Sequence, residues 1–198
     1  MNKITYLLFL GFFSLTSMLA QESPGGVGNA SNNQMWLSGD FGTFTDNGTT
    51  PASTDGNRVQ QWNDRSGNGR NATSNTLGNR PIFEDNAANG KPGLRFTGNL
   101  FIDGPSLGIP ANSGYTYLIA FRDTLSASGG TNDGSGHFIL DRTPETNGLV
   151  SLKPVNNAGT GNRYFYQKRN NSGSGLGGVP TTTLINTSTK LIQMRRDY

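Results

Sequence analysis

The chain has no cysteine in its 198 residues. That excludes disulfides, thiolate metal sites, a cysteine nucleophile and a lipid anchor on a cleavage-site cysteine. It has one histidine, His137, so no multi-histidine metal site can form and any histidine-dependent catalysis must use that residue. Charged residues are scarce at 15% and hydrophobic residues at 32%, a composition poorly suited to long amphipathic helices. Beyond the first twenty residues, no window places apolar side chains at i, i+3, i+4 and i+7 over three turns, and helix is expected to be minor. The net charge of +3 is spread thinly, with Arg163, Lys168, Arg169 and Arg195-Arg196 its closest clusters. No recognition helix, zinc spacing or RNP motif accompanies them, and nucleic acid is set aside as a partner.

What the chain has is glycine, 28 residues, with an aromatic content of 10%. Asn68-Gly69 and Asn89-Gly90 supply residues that tolerate positive φ, and Pro81 and Pro92 push their neighbours into extended backbone. Short apolar runs lie between such turns. Met35–Ser38 is the first strand expected, then Val59–Asp64, whose apolar residues Val59 and Trp62 are three apart and call for a bulge or a strand end at Trp62. Leu94 and Phe96 alternate with polar residues, as do Tyr115, Tyr117, Ile119 and Phe121. Phe138 and Leu140, Leu149–Lys153, Tyr164–Lys168 and Lys190–Arg196 continue the series, with Asp133-Gly134, Asn147-Gly148 and the run Gly173–Gly178 as connections. The expectation is one all-β domain, an antiparallel sandwich.

Residues 1–20 place Lys3 before the apolar run Ile4–Leu15 and end on small and polar residues at Ala20, the pattern of a secretory signal peptide cleaved to leave Gln21. Residues 21–33 read as a flexible Gly-rich linker, and 34–198 as the domain. No later segment is apolar enough to span a membrane, and the protein is expected to be secreted or at the cell surface.

Two catalytic patterns are decoys. Gly104-Pro105-Ser106-Leu107-Gly108 matches G-x-S-x-G and is followed by Asp123, Asp133 and His137, but Ile109-Pro110 cannot start the helix that a nucleophile elbow needs. Gly173-Ser174-Gly175-Leu176-Gly177-Gly178 matches G-x-G-x-x-G, yet Val179-Pro180 follows where a phosphate-binding helix should begin, so a loop is expected. Asp64-Arg65-Ser66-Gly67-Asn68-Gly69 resembles the front half of a calcium loop, with Asp64, Ser66 and Asn68 as oxygen ligands. Position twelve is Asn75, which lacks the bidentate carboxylate, so these residues are read mainly as turn formers, with about 1 kcal/mol resting on Asp64. The residues best suited to hold a sugar are Trp62 with Asn63 and Asp64, and Tyr164 and Tyr166 with Arg163. Such rings stack on a pyranose face while polar neighbours fix hydroxyls, although strand aromatics usually belong to the core.

The run from Trp62 to Gly98 carries Trp-Asn-Asp-Arg-Ser-Gly-Asn-Gly, then Arg80-Pro81, Asn89-Gly90 and Pro92-Gly93-Leu94-Arg95-Phe96-Thr97-Gly98. In that order it resembles LamG-like, concanavalin A-like jelly-roll domains of secreted bacterial surface proteins, and the SPGGVG run of the linker resembles the start of their mature regions. The resemblance implies two packed antiparallel sheets and a non-catalytic role in binding or adhesion, with polysaccharide or surface glycoprotein as partner. A structural spacer is the alternative. It also implies that calcium is a candidate ligand, since some such domains hold it through loop oxygens. Glycosidases of this fold carry two acids in E-x-D order on a strand; glutamate here is limited to Glu22, Glu84 and Glu145 and the signature is missing. Because Leu191–Met194 is followed only by Arg195-Arg196-Asp197-Tyr198, the resemblance further implies that the closing strands of the domain are missing from this sequence.

Overall fold

Asn89 and Gly90 adopt φ of 52° and 74°, the pair of positive values that a two-residue type I′ turn requires. They join β4 (Ile82–Ala88) to β5 (Lys91–Arg95) in an antiparallel hairpin, with Ala88 opposite Lys91 and Ile82 opposite Arg95. The computed structural model describes Pro24 and residues 31–109, 113–122, 150–157, 161–169, 175–184 and 188–196, the backbone alone between 150 and 184. The signal segment, most of the linker, and Asp123, Asp133, His137, Phe138 and Leu140 lie outside the described residues.

Among the described residues the chain is mostly strand with almost no helix. β1 (Thr43–Phe44), β2 (Gln61–Trp62) and β3 (Ala72–Thr73) form a small sheet in that order. β6 (Tyr115–Arg122) pairs with β10 (Thr189–Arg196), and β7 (Val150–Asn157), β8 (Gly161–Arg169) and β9 (Gly175–Leu184) make a further sheet with β8 central. Every pairing is antiparallel. The all-β class is therefore established at the level of small antiparallel sheets.

The backbone of residues 56–59 bonds β4: Val59 N–H donates to Pro81 O at 2.9 Å, and Phe83 N–H to Asn57 O at 2.9 Å. This brings Val59, Phe83 and Ala52 into one buried cluster, against which Leu94 packs. Val59 is fully buried, so Val59 and Phe83 each contribute about 1.5–3 kcal/mol of hydrophobic stabilisation. Arg80 ties three segments over this core, donating to Ser74 O at 3.1 Å, to Thr45 O at 3.0 Å and to the Gln60 side chain.

Alternation holds along β6, where Tyr115, Tyr117, Ile119 and Phe121 are half-buried and the residues between them exposed. Ile192 and Met194 of β10 stand opposite Ile119 and Tyr117 and are buried. Three expectations fail. Met35–Ser38 is not a strand: the Trp36 amide bonds the Asp64 side chain, not a neighbouring backbone. Phe96 lies beyond the end of β5 and is exposed, since β5 runs out of partner where β4 begins after Pro81, a residue with no amide hydrogen to extend the ladder. Gly175–Gly178, expected in a loop, opens β9, with Gly175 opposite Arg169 and Gly178 opposite Gln167. Glycine disfavours strands only weakly, and the edge of β8 supplies pairing partners, with a register shift between Gln167 and Arg169. The strand expected over Val59–Asp64 shrinks to Gln61–Trp62, with Val59 before its start and Trp62 at its end.

Candidate functional site

Sharp turning after β2 is imposed by Gly67 and Gly69, at φ of 89° and 67°. The bend carries the chain back around Asp64, whose carboxylate becomes the centre of a set of donors. Oδ1 accepts the amides of Trp36 and Ser66, both at 2.9 Å. Oδ2 accepts the Ser66 hydroxyl at 2.8 Å and the Arg70 amide at 3.1 Å. Asp64 and Ser66 are both buried. Burial raises the Asp64 pKa, but the bonds from Trp36, Ser66 and Arg70 outweigh it and hold the carboxyl below its usual range.

The same turn grips the chain arriving from the linker. Arg65 N–H donates to Trp36 O at 2.8 Å, Asn68 Nδ2 to Asn33 O at 2.9 Å, and Arg70 to Gln34 O at 2.8 Å as well as to the Gln34 side chain. Asn33, assigned to the linker from sequence, is thus bonded to the domain. Asn68 Nδ2 also reaches Ser66 Oγ at 3.1 Å. Hydrogens, not oxygen lone pairs, converge on Asp64, so a cation there would have to displace several donors before it met the carboxylate. Among the described residues no three of His, Cys, Asp and Glu are grouped to hold a metal.

Trp62 is half-buried and its indole N–H donates to Ser38 O at 2.9 Å. Its neighbour Asn63 accepts the Gln61 side-chain amide at 2.7 Å, and the Asn63 amide donates to Gly42 O at 2.8 Å. Trp62, Asn63 and Asp64 therefore sit together, but their polar groups support the 38–42 loop and the 64–71 turn. Arg163, Tyr164 and Tyr166 lie on β8, Tyr166 opposite Leu152 and Val179, Tyr164 opposite Pro154, and Arg163 opposite Val155 and Leu184.

The loop that Trp62 supports presents a group the sequence reading missed. The Arg65 guanidinium lies 4.6 Å from the Trp36 ring centroid and 5.3 Å from that of Phe41, within the range of cation–π attraction. It also contacts Asp40 at 3.4 Å. Asp40 accepts the Ser38 hydroxyl; that bond, and then the Arg65 charge, hold its carboxyl below the usual range despite partial burial. Phe41 remains 40% exposed. The result is an open aromatic ring beside a fixed cation and a fixed anion. Nothing in local spacing signals it, because Trp36 and Arg65 are brought together only by the Asp64 turn.

Ser106, in the G-x-S-x-G run, is exposed in a segment without helix from 101 to 109, and its hydroxyl accepts the Gly108 amide at 3.4 Å. Among the described residues no helix is long and apolar enough to cross a membrane. The chain matches no family model, no curated protein and no solved structure.

Proposed function

We propose that this chain is a secreted, non-catalytic binding module, built as a concanavalin A-like jelly-roll sandwich, that attaches to polysaccharide or surface glycoprotein through the face bearing Trp36, Asp40, Phe41 and Arg65. The observation that carries the reading is the Arg65 stack: a guanidinium over two rings, braced by Asp40, with Phe41 open to solvent. An exposed ring suits the C–H face of a pyranose, and charged donors and acceptors held in place beside it suit its hydroxyls. Antiparallel pairing throughout and the alternation of β6 are consistent with a sandwich. Export rests on Lys3 and the apolar run that follows it. The test is a screen of the purified mature chain on immobilised polysaccharides and glycans, with and without calcium. Retention on at least one glycan, independent of calcium and weakened by Phe41→Ala at unchanged melting temperature, is expected. A folded protein retained by none of them overturns the reading.

A further inference from the structure

The Phe41 face also carries a second cation. Gly39 lies so close on the Pro92-Gly93 backbone that a Cβ there would come within 2.1 Å of Pro92 O. This seats the next residue, Asp40, beside the start of β5, where Lys91 is exposed and its charge acts on the Asp40 carboxylate. Arg65 pairs with Asp40, and Lys91 adds a second cation near the same carboxylate.

The two cations are not equivalent. Arg65 is engaged by two rings and by Asp40. Lys91 makes no ion pair among the described residues, and it follows the type I′ turn, its backbone paired with Ala88. A lysine held at the base with its tip exposed, one residue before the Pro92 carbonyl on which Gly39 packs, is a charge available to an incoming group.

Resting on the binding reading above, we propose that this face selects acidic polysaccharide, a polymer of uronate residues, over neutral glycans. One sugar ring covers Phe41 and its carboxylate meets Lys91. In a uronate the acid is carried on the pyranose itself, so the stacked face and the charge arrive together, which matches an exposed ring two residues after Gly39 and an exposed ammonium at the start of β5, where Gly39 packs. Asp40 keeps Arg65 in place and prevents it from collapsing onto the ligand carboxylate.

The experiment is affinity electrophoresis of the mature chain through gels containing polygalacturonate or dextran, at low and high salt. Polygalacturonate should retard the protein and dextran should not. Retardation should fall with salt, because exposed charges are screened within about 10 Å at 0.1 M. Lys91→Gln should weaken binding about fivefold, the scale of one unit charge at contact in water, with the melting temperature unchanged. Equal retardation by both polymers, insensitive to Lys91→Gln, overturns the acid preference and leaves the binding module standing. No retardation by either polymer, with the chain folded by circular dichroism, overturns the acid preference and leaves the binding module to be decided by the glycan screen above.

Discussion

Asp64→Ala removes an acceptor that four donors share, and its cost can be worked from the turn itself. The Ser66 amide and hydroxyl are buried with the carboxylate, and the Trp36 and Arg70 amides come from segments 28 residues before it and 6 residues after it. A hydrogen bond to a charged group contributes about 1.5–3 kcal/mol, and a buried donor left unsatisfied costs about 1–3 kcal/mol. The bonds are not additive, since water reaches the more open amides once the side chain is gone. A total of about 3 kcal/mol follows, well above the 1 kcal/mol expected of an ordinary turn residue. For a chain of this size that lowers the melting temperature by about 6–12 °C. Asp64→Asn separates charge from shape. Its Oδ1 can keep the Trp36 and Ser66 amides, but its Nδ2 would point a donor at the Arg70 amide, so it should recover less than half of the loss. Urea denaturation of the three proteins is the assay. An Asp64→Ala midpoint shift worth under about 1 kcal/mol would show that the network is replaced by water and does not hold the turn.

Acid should unfold the domain through its aspartates. Asp40, Asp46 and Asp64 are all held below the ordinary value of 3.8, Asp46 at about 2 by the Thr50 hydroxyl and the Thr50 and Thr49 amides. Groups depressed in this way stabilise the fold fully above that ordinary value and lose the contribution as pH falls through their folded values, so the melting temperature should stay level down to about pH 4.5 and then drop; a level curve down to pH 2 would contradict it. Gly39→Ala should cost at least about 2 kcal/mol, because its Cβ meets the Pro92 backbone, whereas Gly90→Ala, at φ +74° with nothing within 4 Å, should cost only about 1 kcal/mol of backbone strain; urea midpoints in the reverse order would refute the packing of the 38–42 loop on β5. Millimolar calcium should leave the melting temperature unchanged, and a rise that Asp64→Asn abolishes would restore the calcium loop.

The parts of the fold legible in the sequence are those fixed by neighbours in the chain. Asn89-Gly90 announces a type I′ hairpin because both residues tolerate positive φ, and β6 shows its two faces because side chains alternate with period two. What was not legible depends on partners far along the chain. Met35–Ser38 has the composition of a strand, yet Asp64 takes the Trp36 amide that a strand would have used. Phe96 continues an alternation that its partner strand does not extend to meet. Gly175–Gly178 has the composition of a loop and is a strand because β8 supplies the ladder. At the candidate site, Trp62 and Asp64 stand out by residue type, and both position other groups. Phe41 and Asp40 carry no motif, Arg65 fills a position that its motif leaves open, and their meeting is a product of tertiary structure.

The grip of the 64–71 turn on Asn33–Trp36 has a mechanical consequence. The four contacts there, Asn68 to Asn33, Arg70 to Gln34, Trp36 to Asp64 and Arg65 to Trp36, join two stretches of chain over a few residues. Tension entering from the N-terminal side meets them before it reaches β1. Pulling along these stretches loads the bonds in parallel, as in shear, where peeling would break them in sequence at lower force. A domain tethered through its N-terminal side would transmit strain to this short clasp first, leaving the hydrophobic cluster of Ala52, Val59 and Phe83 unloaded until the clasp gives way.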